Sequence, residues 1–191
     1  MQALLLNGSS KDDDFSQWLC GIFVNELKIH DNKVEVINLR DTEIDSCLGC
    51  FGCWVKTPGI CVIDDAGRDL AKSVVRSDLV IYVSPITFGG YSYELKKVID
   101  RLIPIISPFF KKVKGEVHHK PRYERYPNVI SVGTLAENNQ ELIKTFQHLV
   151  MRNAINMHNP VYLSRVFLHS ASLQGLRKEV FEVLKEAGAI K

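Results

Sequence analysis

Apolar residues form two kinds of pattern along this chain, and the two follow one another five times. Short apolar or alternating runs, which predict strands, lie at residues 3–6, 34–39, 78–84, 129–132 and 161–168. Apolar positions at helical spacing predict helices at residues 15–27, 64–75, 95–102, 138–153 and 173–187. Such alternation predicts an α/β fold, with a doubly wound five-stranded parallel sheet covered by helices on both faces.

The segment at about 103–127 interrupts this alternation. It contains four prolines and is predicted to be irregular. Its first part is too apolar for a solvated linker, because Ile105, Ile106, Phe109 and Phe110 lie close together. We therefore expect a single domain, residues 1–191, in which this insertion packs against a partner subunit of a homodimer or homotetramer.

Composition and net charge are those of an ordinary globular protein and exclude few classes of function. The net charge of +2 gives no electrostatic reason to expect nucleic acid as a partner. The N-terminus lacks the basic and apolar regions of a secretion signal, and no apolar stretch approaches the length of a membrane span. These features predict a cytoplasmic protein with no membrane partner, in which cysteines stay reduced or bind metal.

Four of the five cysteines fall within fifteen residues, at Cys47, Cys50, Cys53 and Cys61. Two residues between successive thiolates let one loop direct them at one metal group, and this spacing is typical of iron-sulfur ligands. Three hypotheses remain open from the residues alone. The loop holds an Fe4S4 cluster, or it is cluster-free and packed by small buried thiols, or it binds zinc.

Three further loops lie where ligands bind in parallel sheets. Residues 7–16, 84–90 and 133–139 each follow a predicted strand, so they should meet at the carboxyl edge of the sheet. The cysteine loop leaves the second strand at the same edge. The sequence therefore predicts one functional edge that combines all four loops.

The residues of these loops resemble a known family. Residues 7–11 between a strand and a helix, and residues 84–92 followed by 95–96 and 99–101, resemble the NADPH-dependent FMN reductases of flavodoxin-like fold. The compact cysteine motif is similar to that of the iron-sulfur flavoprotein branch and its cluster-free relatives. The resemblance implies an FMN-dependent oxidoreductase that moves electrons from NAD(P)H, or from a ferredoxin-like donor, to a small-molecule or protein acceptor.

The resemblance also implies which residues bind the flavin. The FMN phosphate would be held by Ser9, Lys11 and Ser16. The isoalloxazine ring would be wrapped by Pro85, Ile86, Thr87, Phe88 and Gly89, and closed on its other side by Gly133 and Thr134. No catalytic acid or nucleophile is implied, because the flavin itself carries the chemistry.

Three consecutive aspartates, residues 12–14, follow Lys11 in the predicted phosphate loop. Their carboxylates would repel a phosphate, and one of them could cap the following helix and occupy the anion site. Alternatively, all three point to solvent as an ordinary helix start. The first outcome favours a non-catalytic or redox-sensing relative with a decayed phosphate loop, and the second favours the FMN enzyme.

Overall fold

A five-stranded parallel sheet forms the centre of the protein. The computed structural model describes residues 1–113 and 115–190. The strands of this sheet are β1 (Gln2–Asn7), β2 (Lys33–Asn38), β3 (Leu79–Pro85), β6 (Asn128–Leu135) and β7 (Tyr162–Leu168). Their spatial order is β2-β1-β3-β6-β7, and each neighbouring pair is parallel. This is the flavodoxin-like order, so the predicted fold class is confirmed.

Helices cover both faces of the sheet. They are α1 (Asp14–Ile29), α2 (Gly52–Val55), α3 (Ala66–Arg76), α4 (Tyr93–Arg101), α5 (Gln140–Asn156) and α6 (Leu173–Glu186). Alternate residues of β1 serve opposite faces: Leu5 packs into the core under α1 and α6, while Leu4 and Leu6 pack into the core under α3, α4 and α5. None of the helices in the described part of the chain is long and apolar enough to cross a membrane.

The predicted irregularity of the insertion is wrong. A short 3₁₀ turn (Ile103–Ile105) leads into an antiparallel hairpin of β4 (Ile106–Val113) and β5 (Glu116–Pro121). The pairing register shifts between Ile106 and Phe110, next to Pro108, and a bulge is where a strand tolerates proline. Residue 114, inside the predicted insertion, lies outside the described residues. The bulge and the prolines hide the period of two that would have indicated strands.

A buried arginine near the end of α4 holds the cysteine loop to the rest of the fold. The guanidinium of Arg101 is 2% exposed and makes two hydrogen bonds to the Asp65 carboxylate, at 2.6 and 2.8 Å. It also donates to the carbonyl oxygens of Asp45 (2.7 Å) and Ile63 (3.4 Å). Both ends of the segment that carries the cysteines are therefore fixed by one side chain.

Asp65 is itself used three times. Besides binding Arg101, its carboxylate accepts a hydrogen bond from the backbone N–H of Gly67 (2.9 Å), so that Asp65 is the N-cap of α3. It also accepts one from the backbone N–H of Asp45 (2.8 Å). The hydrogen bond from Arg101 is the main reason that the pKa of Asp65 lies below its ordinary value, and partial burial opposes that shift. These contacts satisfy the two terminal nitrogens of Arg101, as a buried ion pair requires, while its Nε has no hydrogen-bond partner among the described residues.

Replacing Arg101 by glutamine should destabilise the protein strongly, because the Asp65 carboxylate would stay partly buried without its charged partner. We expect the free energy of unfolding to fall by about 3 kcal/mol. Urea denaturation followed by circular dichroism measures this change. The matched control is Lys96→Gln in the same helix, whose exposed pair with Asp100 should contribute less than about 1 kcal/mol. Equal losses in the two variants would contradict the role assigned to Arg101.

Candidate functional site

The structure brings the three predicted flavin loops together at the carboxyl edge of the sheet. Gly8, after β1, donates its N–H to the carbonyl of Val83 (2.8 Å) and accepts from the Ser92 hydroxyl (2.6 Å). A Cβ added at Gly8 would lie 2.7 Å from Cβ of Leu95, so only glycine permits this approach of the first loop to α4. The third loop joins through Thr134, whose carbonyl accepts from the Ile86 N–H (3.0 Å).

A tight turn presents Phe88 to solvent. Thr87 and Gly90 exchange two backbone hydrogen bonds of 3.0 and 2.9 Å, and the residues between them, Phe88 and Gly89, have φ values of 51° and 79°. The left-handed conformation is unfavourable for phenylalanine, and such strain is typical of ligand-binding loops. The Phe88 side chain is 99% exposed. An apolar ring in that position suits a planar ligand that would cover it.

Of the remaining predicted ring residues, Gly89, Gly133 and Thr134 are buried, Pro85 and Ile86 are half-buried, and Thr87 is exposed. A Cβ at Gly133 would lie 2.6 Å from Cδ1 of Ile86 and 3.0 Å from Cε1 of Phe146, so Gly133 forms the surface on which Ile86 rests. Gly89 likewise packs on α5, where a Cβ would lie 2.7 Å from Cγ2 of Thr145. Ile86 and Gly133 were predicted on opposite sides of the ring, and the structure brings them into direct contact.

The predicted phosphate residues make their hydrogen bonds within the protein. The hydroxyl of Ser9, which is fully buried, donates to Oδ1 of Asn7 (2.7 Å). The hydroxyl of Ser16, also fully buried, is hydrogen-bonded to the hydroxyl of Thr134 (2.9 Å). Lys11 is 75% exposed and lies 3.5 Å from the Asp41 carboxylate. The structure thus brings Ser16 and Thr134 together and leaves Lys11 at the surface.

Of the three consecutive aspartates, one caps α1 and the other two face solvent. Asp12 and Asp14 are exposed, as expected of an ordinary helix start. Asp13 is the N-cap of α1, and its Oδ1 accepts a hydrogen bond from the backbone N–H of Ser16 (2.9 Å). A phosphate at this helix start would compete with the Asp13 carboxylate for that N–H group. The turn at residues 87–90 therefore fits a flavin ring, whereas the start of α1 does not fit the flavin phosphate.

Arg40 lies beside the phosphate loop and was missed by sequence reasoning. It follows β2, and its side chain is 15% exposed. Its guanidinium donates to the carbonyl of Ser10 (3.1 Å), to the Ser9 hydroxyl (3.4 Å) and to Oε1 of Gln17 (2.9 Å). The available signal was its position: β2 neighbours β1, so a basic residue just after β2 reaches the loop after β1.

All four motif cysteines line one cavity. Its volume is about 40 Å³, and its other walls are mainly apolar, with Phe51, Val62 and Ile103 among them. Cys53 is buried, while Cys47 and Cys50 are exposed. Burial raises the pKa of the Cys53 thiol, and the neighbouring Cys61, Cys47 and Cys50 add to the effect. Four thiols facing one apolar space form a donor set that suits an iron-sulfur cluster.

The side chains described around this cavity are not arranged as the single-ion site that zinc requires. Within the described ranges, no group of three or more histidine, cysteine, aspartate or glutamate side chains is arranged to hold a single metal ion. A cluster is larger than one ion, and it spreads its ligands over a wider space. The cluster and the cluster-free loop are therefore the two hypotheses that the geometry leaves standing.

Aromatic contacts connect the cysteine loop to the hairpin. Phe51 stacks on Trp54, with ring centroids 5.1 Å apart, and Trp54 packs against His119 of β5 at 4.7 Å. Phe110 of β4 packs on the other side of His119, also at 4.7 Å. The indole N–H of Trp54 donates to the carbonyls of Ile103 (3.2 Å) and Ile106 (3.1 Å). The cysteine loop and the hairpin thus form one continuous surface.

Comparison with known proteins identifies similar sequences. The model of the family described as NADPH-dependent FMN reductase matches residues 1–165. An iron-sulfur flavoprotein of Methanocaldococcus jannaschii is 31% identical over 105 residues, which are 55% of this chain and 53% of that protein. The chain spans about half the length of the curated relatives it matches.

Solved structures show the same fold at low identity. An NAD(P)H:quinone oxidoreductase from Methanothermobacter marburgensis superposes with a TM-score of 0.71 at 12% identity, covering 99% of this chain and 94% of that one. An FMN-dependent NADH-azoreductase from Bacillus anthracis, solved in complex with FMN, gives a TM-score of 0.67 at 16% identity, with 97% and 99% covered. At such identities the likeness concerns the fold alone.

Proposed function

This chain belongs to the NADPH-dependent FMN reductase family, and we propose that it is an FMN-dependent oxidoreductase. It takes electrons from NAD(P)H or a ferredoxin-like donor and passes them to a small-molecule or protein acceptor. The observation that carries the proposal is the turn at residues 87–90, which holds Phe88 in a left-handed conformation and 99% exposed at the carboxyl edge of the sheet.

The protein's part in this reaction is to hold and orient the flavin. Pro85, Ile86, Thr87, Phe88 and Gly89 would form the wall against the isoalloxazine ring, and Gly133 and Thr134 support that wall from below. When bound, FMN supplies hydride acceptance and one-electron transfer. The two hydrogen bonds between Thr87 and Gly90 keep the turn rigid, so little order has to be gained on binding.

Replacing Phe88 by asparagine should weaken FMN binding about tenfold, because the apolar cover of the ring is lost while asparagine still tolerates the left-handed conformation. Quenching of flavin fluorescence measures the affinity, and NADPH oxidation with added FMN measures the activity. The control is Ile29→Asn, a replacement of an equally solvent-facing apolar side chain (72% exposed) at the end of α1. It should leave both quantities unchanged.

The alternative function is a non-catalytic or redox-sensing relative, and the capped start of α1 is the observation that favours it. The same measurements separate the two. An FMN dissociation constant far above micromolar, together with no oxidation of NADPH in the presence of FMN, would contradict the enzyme and support the alternative.

We further propose that Cys47, Cys50, Cys53 and Cys61 hold an Fe4S4 cluster, as the names of the relatives suggest for those proteins. The cluster would relay single electrons to and from the flavin edge. All five cysteines are free thiols, which a reducing compartment such as the cytoplasm maintains. The support for the proposal is that the four thiols line one cavity.

Anaerobically purified protein should be brown and contain about four iron atoms per chain. Cys50→Ser should lose most of this iron, because it removes one thiolate ligand. Cys20→Ala is the matched control: Cys20 is buried in the core and lies outside the motif, so iron should be retained. Colourless, iron-free protein prepared without oxygen would contradict the cluster and support a loop packed by its own thiols.

The hairpin is the proposed contact of a homodimer or homotetramer. Phe109 (68% exposed), Phe110 (61%) and Val117 (65%) are exposed apolar side chains on a two-stranded sheet whose edges are unpaired within the described residues. Replacing both phenylalanines by serine should reduce the mass measured by light scattering to that of a smaller assembly. The control pair, Ile29→Ser with Leu173→Ser, removes exposed apolar side chains elsewhere. An unchanged mass in the hairpin variant would refute this contact.

A further inference from the structure

Asp13 places its carboxylate at the start of α1, the helix that follows the predicted phosphate loop. We propose that Asp13 takes the place of the 5′-phosphate, so that this protein grips flavins by the isoalloxazine ring and binds riboflavin as well as FMN. FMN is then an exchangeable ligand in place of a tightly held prosthetic group. The inference rests on the proposed function, since it assumes that a flavin binds at the turn around Phe88.

Ser16, at the start of α1, has no free hydrogen-bond donor for a phosphate. Its backbone N–H is donated to Oδ1 of Asp13 (2.9 Å), and its hydroxyl is paired with that of Thr134 (2.9 Å). Ser9 likewise has no free donor, because both its N–H (3.0 Å) and its hydroxyl (2.7 Å) donate to Oδ1 of Asn7. A phosphate could recruit these groups only by breaking bonds that the buried loop already makes.

Negatively charged side chains outnumber positively charged ones at the phosphate loop. Asp12, Asp13 and Asp14 lie in or next to the loop, and Asp41 lies 3.5 Å from Lys11 and 3.6 Å from Nε of Arg40. Four carboxylates therefore stand against two cations in these segments, and both cations have acceptors. Lys11 points to solvent beside Asp41, and Arg40 donates to the carbonyl of Ser10 and to Gln17. A dianion would enter a region that is already negative.

The turn at residues 87–90 is held in place without contacts from the phosphate loop. The turn at residues 87–90 is held by its own two hydrogen bonds and by the packing of Gly89 against Thr145 of α5. None of these contacts involves Asp13 or its hydrogen bond with Ser16. A flavin without a phosphate can thus use the turn around Phe88 fully, while the phosphate of FMN finds no free donor on Ser9 or Ser16.

Asp13→Asn tests the inference, because asparagine caps a helix as well as aspartate but carries no charge. Riboflavin and FMN are each titrated against the full-length protein, with quenching of flavin fluorescence as the readout. In the unmodified protein the two dissociation constants should agree within about threefold. In Asp13→Asn, the affinity for FMN should rise about tenfold while that for riboflavin stays the same.

Asp12→Asn is the matched control, since it removes the same charge at the neighbouring exposed position without touching the cap. It should raise FMN affinity by about twofold at most. Circular dichroism melting shows that each variant is folded. Comparable gains in the two variants would overturn the specific role of Asp13 and leave only general charge repulsion.

Two other results would also overturn the inference. One is an unmodified protein that binds FMN a hundredfold or more tightly than riboflavin. The other is a selective loss of FMN affinity in Arg40→Gln, which would place the phosphate on that guanidinium. These outcomes would leave the proposed function intact. Binding of neither flavin to any variant would instead remove the proposed function, and the inference with it.

Discussion

The two hydrogen bonds between Arg101 and Asp65 are the interaction on which the functional edge depends. The segment that carries the cysteines has a short helix of four residues and little other regular structure, so it cannot define its own shape. Arg101 fixes its beginning through the carbonyl of Asp45 and its end through Asp65. Taking a guanidinium out of water is costly, and much of the cost is offset here because one carboxylate and two carbonyls accept hydrogen bonds from its two terminal nitrogens.

The sheet determines why the flavin turn and the cysteine cavity belong to the same edge. In a parallel sheet all strands end on one side, so the loops after β1, β2, β3 and β6 must meet there. β1 lies between β2 and β3, and the loop after β1 therefore separates the cysteine segment from the turn that carries Phe88. Any charge placed in that loop, such as Asp13, faces the flavin site by virtue of strand order alone.

The architecture was predictable because it follows from periodicity. The five strands and the five longer helices produce clear apolar patterns, and right-handed crossovers then leave few possible sheets. The hairpin was not predictable, because Pro108 and the shifted register between Ile106 and Phe110 break the alternation. The roles of Arg101 and Arg40 were equally hidden. In sequence they are ordinary basic residues, and only the packing of distant segments buries them.

The sequence alone could not predict which aspartate of residues 12–14 would cap α1. All three aspartates are plausible caps by composition, and which one caps depends on the exact residue at which α1 begins. The structure starts the helix at Asp14, so Asp13 becomes the cap and its neighbours face solvent. The turn and the helix start are therefore set by different interactions. The turn depends on backbone geometry at Phe88 and Gly89, whereas one side chain, Asp13, accepts the hydrogen bond that caps α1.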